Sequence, residues 1–199
     1  MPDNVVAHHG FVAKQQRRTM LKQKGTLLWL TGLPGSGKST IAYALEKFLT
    51  ATKKLCYVLD GDNIRLGLNS NLGFSLDDRR ENIRRIGEVG ALFCDTGVIT
   101  IASFVSPSEQ DRKRVRDIFD NGDFIEIYLN TPLEVCEERD PKGHYAKARS
   151  GEIKNFTGIS SKYDIPKDPE IKINTHNTTI DENVQIIVEN LVKNGRLDP

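Results

Sequence analysis

The string LLWLTGLPGSGKSTIAYALEKFL, residues 27–49, constrains the fold more tightly than any other stretch of the chain. A short apolar run leads into GLPGSGKS (Gly32–Ser39), which matches G-x-x-x-x-G-K-[ST], and a helical pattern follows at once. The glycines let successive backbone N–H groups turn inward around phosphate oxygens, and the helix start adds its positive end. Gly32, Leu33, Pro34, Gly35, Ser36, Gly37, Lys38, Ser39 and Thr40 are therefore expected to hold the phosphates of a nucleoside triphosphate, and the motif alone does not choose among an ATPase, a GTPase and a kinase. Lys38 reaches the β/γ-phosphates and the Ser39 hydroxyl ligates Mg²⁺.

The rest of the chain repeats the alternation that this unit starts. Strands are expected at 27–32, 56–60, 98–104, 124–130 and 170–175, and helices at about 38–51, 80–95, 107–120, 132–139 and 180–193. Thr179 with Glu182 makes a capping box for the last helix. Short apolar strands alternating with helices imply an α/β fold of the P-loop NTPase type, a parallel five-stranded sheet flanked by helices. Right-handed crossovers then bring the carboxyl ends of all strands to one edge, where ligands bind. Residues 1–24 read as a polar, partly helical extension and 25–199 as a single domain. Within it, about 139–169, punctuated by Gly and Pro, breaks the alternation and reads as a mobile lid.

Bulk properties narrow the function by exclusion. A net charge of +1 offers no field for nucleic acid, and no apolar stretch approaches the length of a membrane span. Cys56, Cys94 and Cys136 lie far apart in apolar segments and read as buried free thiols, which fits a cytoplasmic protein. His8, His9 and His176 show no metal-ligand spacing. A guanine reader would carry Asn-Lys-x-Asp; the nearest string, SKYD at 161–164, falls inside the lid and not at a strand end.

The second strand ends in Asp60-Gly61-Asp62-Asn63, on the same edge as the cradle. Two carboxylates beside a polyanion repel it unless a cation or a transferable proton lies between, and Mg²⁺ and an acceptor hydroxyl supply these. Downstream, Arg79, Asn82 and Ile86 share one helix face, and Arg80 and Arg84 share another. A cation near a helix start is unfavourable, so Arg79 there points to a nearby anion.

The strings DGDNIR, LGFS, ENIRRIGEV, SFVSP and ERDPKG–KNFTGI resemble the adenylylsulfate (APS) kinases over about residues 25–175, and the lead-in Asn4-Val5-Val6 with His8 resembles that family's N-terminal extension. The resemblance implies transfer of the γ-phosphoryl of ATP to the 3′-hydroxyl of adenosine 5′-phosphosulfate, giving PAPS and ADP. Carried over by motif, Asp60, Gly61, Asp62 and Asn63 form the APS-ribose edge, with Asp62 receiving the hydroxyl proton and Asp60 nearer the metal's water shell. Arg65, Arg79 and Asn82 grip the phosphosulfate, and Phe74 and Phe156 sandwich the adenine. Ser103 and Phe104 of SFVSP and Lys142 also face APS, while Arg139 leans toward ATP. The family implies a homodimer that works beside an ATP sulfurylase.

Ser106 carries two readings. The family assigns the serine of SFVSP a transient phosphoserine. The local sequence instead offers a helix cap, with Ser106 at N-cap, Pro107 at N1 and Glu109 at N3. Ser108 and Glu109 depart from the family pattern, whereas Asp111 and Arg112 match it. In the lid, Arg139, Lys142, Lys147, Arg149 and Lys154 give a local excess of positive charge, of which Lys147 best fits a solvated loop, and His144 reads as peripheral. Two alternatives stand beside the APS kinase reading: a small-metabolite kinase of the same fold, such as a gluconate or shikimate type, and a nucleotide-binding module without turnover.

Overall fold

The computed structural model describes residues 10–198 together with Val6 and His8; Asn4, Val5 and His9 lie outside the described residues. Five parallel strands form the sheet: β1 (Thr26–Thr31), β2 (Cys56–Asp60), β3 (Ile99–Ser103), β4 (Phe124–Leu129) and β5 (Ile171–Ile173). Their order is β2-β3-β1-β4-β5, so β1 lies in the middle with Leu28 beside Ile101 on one side and Ile125 on the other. All five strands fall where the apolar runs predict them.

β1 is buried along its whole length because both of its faces are covered. Leu28 and Leu30 pack with Ile41, Leu45 and Leu49 of α2 (Lys38–Ala51) and with Val184, Ile187 and Leu191 of α8 (Ile180–Lys193). Leu27 and Trp29 point the other way, toward Ile83 and Ile86 of α4 (Leu76–Thr96) and Val115 of α5 (Glu109–Arg116). This strict alternation is the period of two of a strand, used on both faces of a central one. The Thr179–Glu182 capping box closes as predicted.

Three helices extend the expected set. α1 (Lys14–Leu21) gives the polar lead-in its helical character and docks by charge: Lys14 and Arg18 both bond the buried Asp123 carboxylate, which Arg196 also holds. α3 (Gly61–Leu66) starts directly from β2. α7 (His144–Arg149) lies inside the lid, after α6 (Leu133–Arg139). The lid therefore has structure of its own. Cys136, Tyr145, Ala148 and Phe156 form a third apolar cluster, against which Leu33 of the cradle packs.

Two expectations need correction. The helix after SFVSP is capped by Ser108, whose hydroxyl accepts from the Asp111 N–H, and not by Ser106. Ser106 has a left-handed backbone (φ 39°) and a buried side chain turned into the protein, which removes it from any cap. Cys56 is only half-buried, whereas Cys94 and Cys136 are buried; all three are free. Burial pushes the Cys94 thiol up to about 11, so it stays protonated.

Candidate active site

The cradle connects β1 to α2. Gly35 (φ 77°) and Gly37 (φ 94°) take left-handed conformations that L side chains rarely adopt, and a Cβ on Gly35 would stand 2.9 Å from the Cys136 carbonyl oxygen. Lys38 folds back over the loop, donating to the carbonyls of Gly32 (3.0 Å) and Leu33 (2.8 Å). Burial lowers its pKa to about 8, only partly offset by the charges of Asp60 and Asp62. Ser39 and Thr40 are exposed at the first turn of α2. Arg139 crosses above, its guanidinium bonded to the carbonyls of Gly35 (3.4 Å) and Thr175 (3.1 Å).

Asp60 ties this cradle to the next strand end. It caps α3 by accepting the Asp62 N–H at 3.0 Å, and its other oxygen accepts the Ser39 hydroxyl at 2.7 Å. Ser103, at the end of β3, lies 3.4 Å from the same Ser39 oxygen. These are hard oxygen donors at an exposed helix start, a donor set that suits Mg²⁺, which keeps several waters and takes only one or two protein oxygens. Asp62 is exposed and carries the Lys142 ammonium on its carboxylate. Gly61 rests on the Phe104 ring and Ser103 carbonyl, where a Cβ would come within 3.4 Å and 3.3 Å. Asn63 donates to the Tyr43 hydroxyl at 2.9 Å.

The expected substrate-facing residues divide into two groups. Phe74 is 68% exposed, with the Arg65 guanidinium 4.4 Å from its ring centre. Arg65 also donates to the Leu72 and Gly73 carbonyls, which fixes the turn that presents Phe74. Phe156 lies edge-on to Tyr145 at 4.9 Å, and His144, expected to be peripheral, meets the same ring at 6.3 Å. Arg79 joins the two aromatic segments: it donates to the Phe74 carbonyl (2.9 Å), the Thr157 hydroxyl (2.9 Å) and the Asn155 carbonyl (2.7 Å). Its position near the α4 start is thus explained by neutral oxygen acceptors, the Phe74 carbonyl just before the helix and the Asn155 carbonyl and Thr157 hydroxyl on the lid.

Two expected contacts lie in the interior. The Phe104 ring stacks on Trp29 at 5.9 Å within the core, so its side chain is structural and only its backbone is left for a ligand. Asn82 is buried and accepts from Asn69 at 3.0 Å, bracing the segment between α3 and α4. The sequence reading missed two tyrosines. Tyr145 donates to the Pro34 carbonyl at 2.8 Å, and the Tyr163 hydroxyl lies 2.9 Å from that of Thr31, next to the cradle. The available signal was a tyrosine in an otherwise polar, Gly- and Pro-punctuated segment, since a buried phenol must find a polar partner.

The model of the adenylylsulphate kinase family matches residues 24–174. The chain belongs to that family. It is 55% identical to the adenylyl-sulfate kinase of Clostridium acetobutylicum over 188 residues, covering 94% of each chain. It is 52% identical to that of Vibrio vulnificus over 197 residues, or 99% of this chain and 95% of the relative. Among solved structures it resembles the Mycobacterium tuberculosis APS kinase in complex with AMPPNP and APS, with a TM-score of 0.82 and 45% identity over 85% of this chain and 98% of that one.

Proposed function

We infer that this chain transfers the γ-phosphoryl of ATP to the 3′-hydroxyl of adenosine 5′-phosphosulfate, giving PAPS and ADP. The observation that carries the reading is the 2.7 Å bond from Ser39 to Asp60, which sets the phosphate cradle directly beside the Asp60–Asp62 edge. A donor of phosphoryl groups and an acceptor hydroxyl have to meet at such a place. Membership of a family whose relatives are kinases of APS names the acceptor.

In this reading, residues 32–40 and Arg139 hold ATP. Ser39 and Asp60 would hold Mg²⁺, which would supply positive charge to offset that developing on the phosphates during transfer. Asp62 accepts the 3′-hydroxyl proton as that oxygen bonds to the γ-phosphorus. The bond from phosphorus to the β,γ-bridging oxygen breaks, and ADP leaves with its electron pair. Lys38 stabilises charge on the transferring group. Phe74 and Phe156 take the two faces of the APS adenine. Arg65 and Lys142 serve the phosphosulfate, with Asn63 and the backbone of Gly61, Ser103 and Phe104 at the ribose. Arg79 and Asn82 act from behind by fixing the loops, and Ser106 acts through the buried contacts of its side chain. A cytoplasmic homodimer fed by an ATP sulfurylase completes the proposal; among the described residues, no helix is long and apolar enough to cross a membrane.

A coupled ADP assay with MgATP tests the assignment. APS should stimulate ADP formation strongly, with gluconate and shikimate inert. Stimulation by a sugar acid but not by APS would replace the reading with that of a small-metabolite kinase. Tight PAPS binding without turnover would leave a nucleotide-binding module.

A further inference from the structure

A chain of hydroxyls runs from the core to the lid, and its direction can be read from donor counting. The Trp29 indole N–H, which can only donate, bonds Ser106 Oγ at 3.0 Å. Ser106 in turn donates to Thr31 Oγ1 at 2.9 Å. Thr31 has a single proton, which it gives to the Val105 carbonyl at 2.8 Å. The Tyr163 hydroxyl, 2.9 Å from Thr31 Oγ1, must therefore be the donor in that contact. Thr31 thus accepts two hydrogen bonds and donates one, which saturates its hydroxyl.

The tyrosine is well suited to this part. Burial pushes its phenol far above the ordinary range, so it keeps its proton at any working pH. Its ring stacks on Tyr128 at 6.2 Å and carries the Arg112 guanidinium at 5.7 Å. The next residue, Asp164, is pinned through its backbone: its N–H donates to the Pro107 carbonyl at 2.8 Å, and its carbonyl accepts from Arg112 at 2.7 Å. Arg112 also holds the Ser106 carbonyl at 2.7 Å, where the backbone is left-handed (φ 39°). On the other side, Thr31 immediately precedes Gly32, whose carbonyl accepts the Lys38 ammonium.

We propose that Tyr163 is a positioning residue, its hydroxyl latching the returning end of the lid to Thr31 at the mouth of the phosphate cradle. SKYD, which fails as a guanine signature, is then the lid's anchor. This proposal rests on the phosphotransfer reading above. Its consequence is coupling: a lid registered on the cradle excludes water from the γ-phosphoryl. Where the register slackens, a water oxygen bonds the γ-phosphorus, the bond to the bridging oxygen breaks, and ADP and inorganic phosphate leave, with the water's proton passing to solvent.

Tyr163→Phe keeps the stacked ring and removes only the donor. The measurement is the ratio of ADP to PAPS formed by the full chain at saturating substrates, with kcat and both KM values. Wild type should form one ADP per PAPS. The variant should form ADP in excess by about two-fold or more, with transfer slowed about five-fold and KM for ATP little changed. Thr31→Val should reproduce the excess, and the double variant should be no worse than Thr31→Val alone, since both remove the same contact. Tyr128→Phe, which loses only its bond to Asn130, should stay coupled. A Tyr163→Phe enzyme with unit coupling and wild-type transfer overturns the proposal. A wild-type enzyme that ignores APS overturns the phosphotransfer reading instead.

Discussion

The guanidinium of Arg79 donates to the backbone carbonyl of Asn155 across 2.7 Å, joining α4 to the lid over a separation of 76 residues. With its bonds to Phe74 and Thr157, this one side chain sets the spacing between the two aromatic segments of the site. The geometry suits Arg because a planar fork reaches three acceptors at once, which the point charge of Lys does not. Hydrogen bonds from a charged donor contribute about 1.5–3 kcal/mol each where solvent is excluded, and less at this part-exposed place. Arg79→Ala is therefore expected to raise KM for APS about ten-fold or more while leaving KM for ATP near its wild-type value, a loss near 1.4 kcal/mol. Arg79→Lys should not restore it. Equal rises in both KM values would remove the lid from the explanation.

Asp62 and Lys142 form an exposed ion pair across the mouth of the site. The pair contributes little to stability, since both partners remain in water. Its interest is that the lid's cation sits on the carboxylate proposed to receive the acceptor hydroxyl's proton. Asp62→Asn keeps the shape and the cap of α3, which comes from Asp60, and removes the proposed proton acceptor. Turnover should fall about 10²–10⁴-fold with ATP affinity little changed. Thermal melting should be close to wild type. A variant with normal turnover would pass the proton-accepting role to another group.

Much of this arrangement was legible in the sequence, and for a local reason. Strand, cradle and helix are contiguous at residues 27–49, so spacing alone carries them, and the three central strands β3, β1 and β4 follow from two-sided burial. Ser106 was misread because Ser-Pro-x-Glu is a sound cap in isolation. Ser108 competes for the same role, and the indole N–H of Trp29, a residue of β1, needs an acceptor that Ser106 provides. For Phe104 the sequence left open which part of the residue would face a ligand: a ring at the end of a strand can face the core or the ligand, and Trp29 supplies a surface on the core side. The lid's own helix and apolar cluster were hidden because their partners come from four short stretches at Leu33, Cys136, Tyr145 and Phe156. No single window of sequence shows such a cluster.

Lys38 gives the site a pH dependence with a definite sign. Burial holds its pKa at about 8 in the free protein, below the ordinary value for lysine, so the ammonium begins to lose its proton just above neutrality. The polyphosphate of ATP favours the charged form and binds it better. Affinity for ATP should therefore be full below about pH 8 and decline above it, so kcat/KM for ATP should bend downward there, while kcat, which reports the bound complex, bends at higher pH. Lys38→Arg, always charged, should lose the bend near pH 8 at whatever activity it retains. A profile for kcat/KM that stays flat to pH 10 in the wild type would contradict the burial of this amine.

Phe74 and Phe156, the two rings proposed to hold the APS adenine, belong to different parts of the protein. Phe74 is mostly exposed, touching the Arg65 guanidinium, whereas Phe156 is buried against Tyr145 in the lid's own cluster. Removing the first ring costs the free protein little, because little apolar area leaves a packed environment. Removing the second leaves a cavity beside Tyr145 and Cys136, at a cost of about 3 kcal/mol if the cluster does not collapse. In the proposed reading both rings stack on the bound purine, at about 1–3 kcal/mol per base by analogy with single-stranded nucleic acids. Phe74→Ala should therefore raise KM for APS by one to two orders of magnitude with an unchanged melting temperature. Phe156→Ala should weaken APS similarly and also make the 139–169 region more open to protease and to hydrogen exchange. Hydrogen exchange that is raised equally around both positions would show that the two rings are packed alike, against the separation seen here.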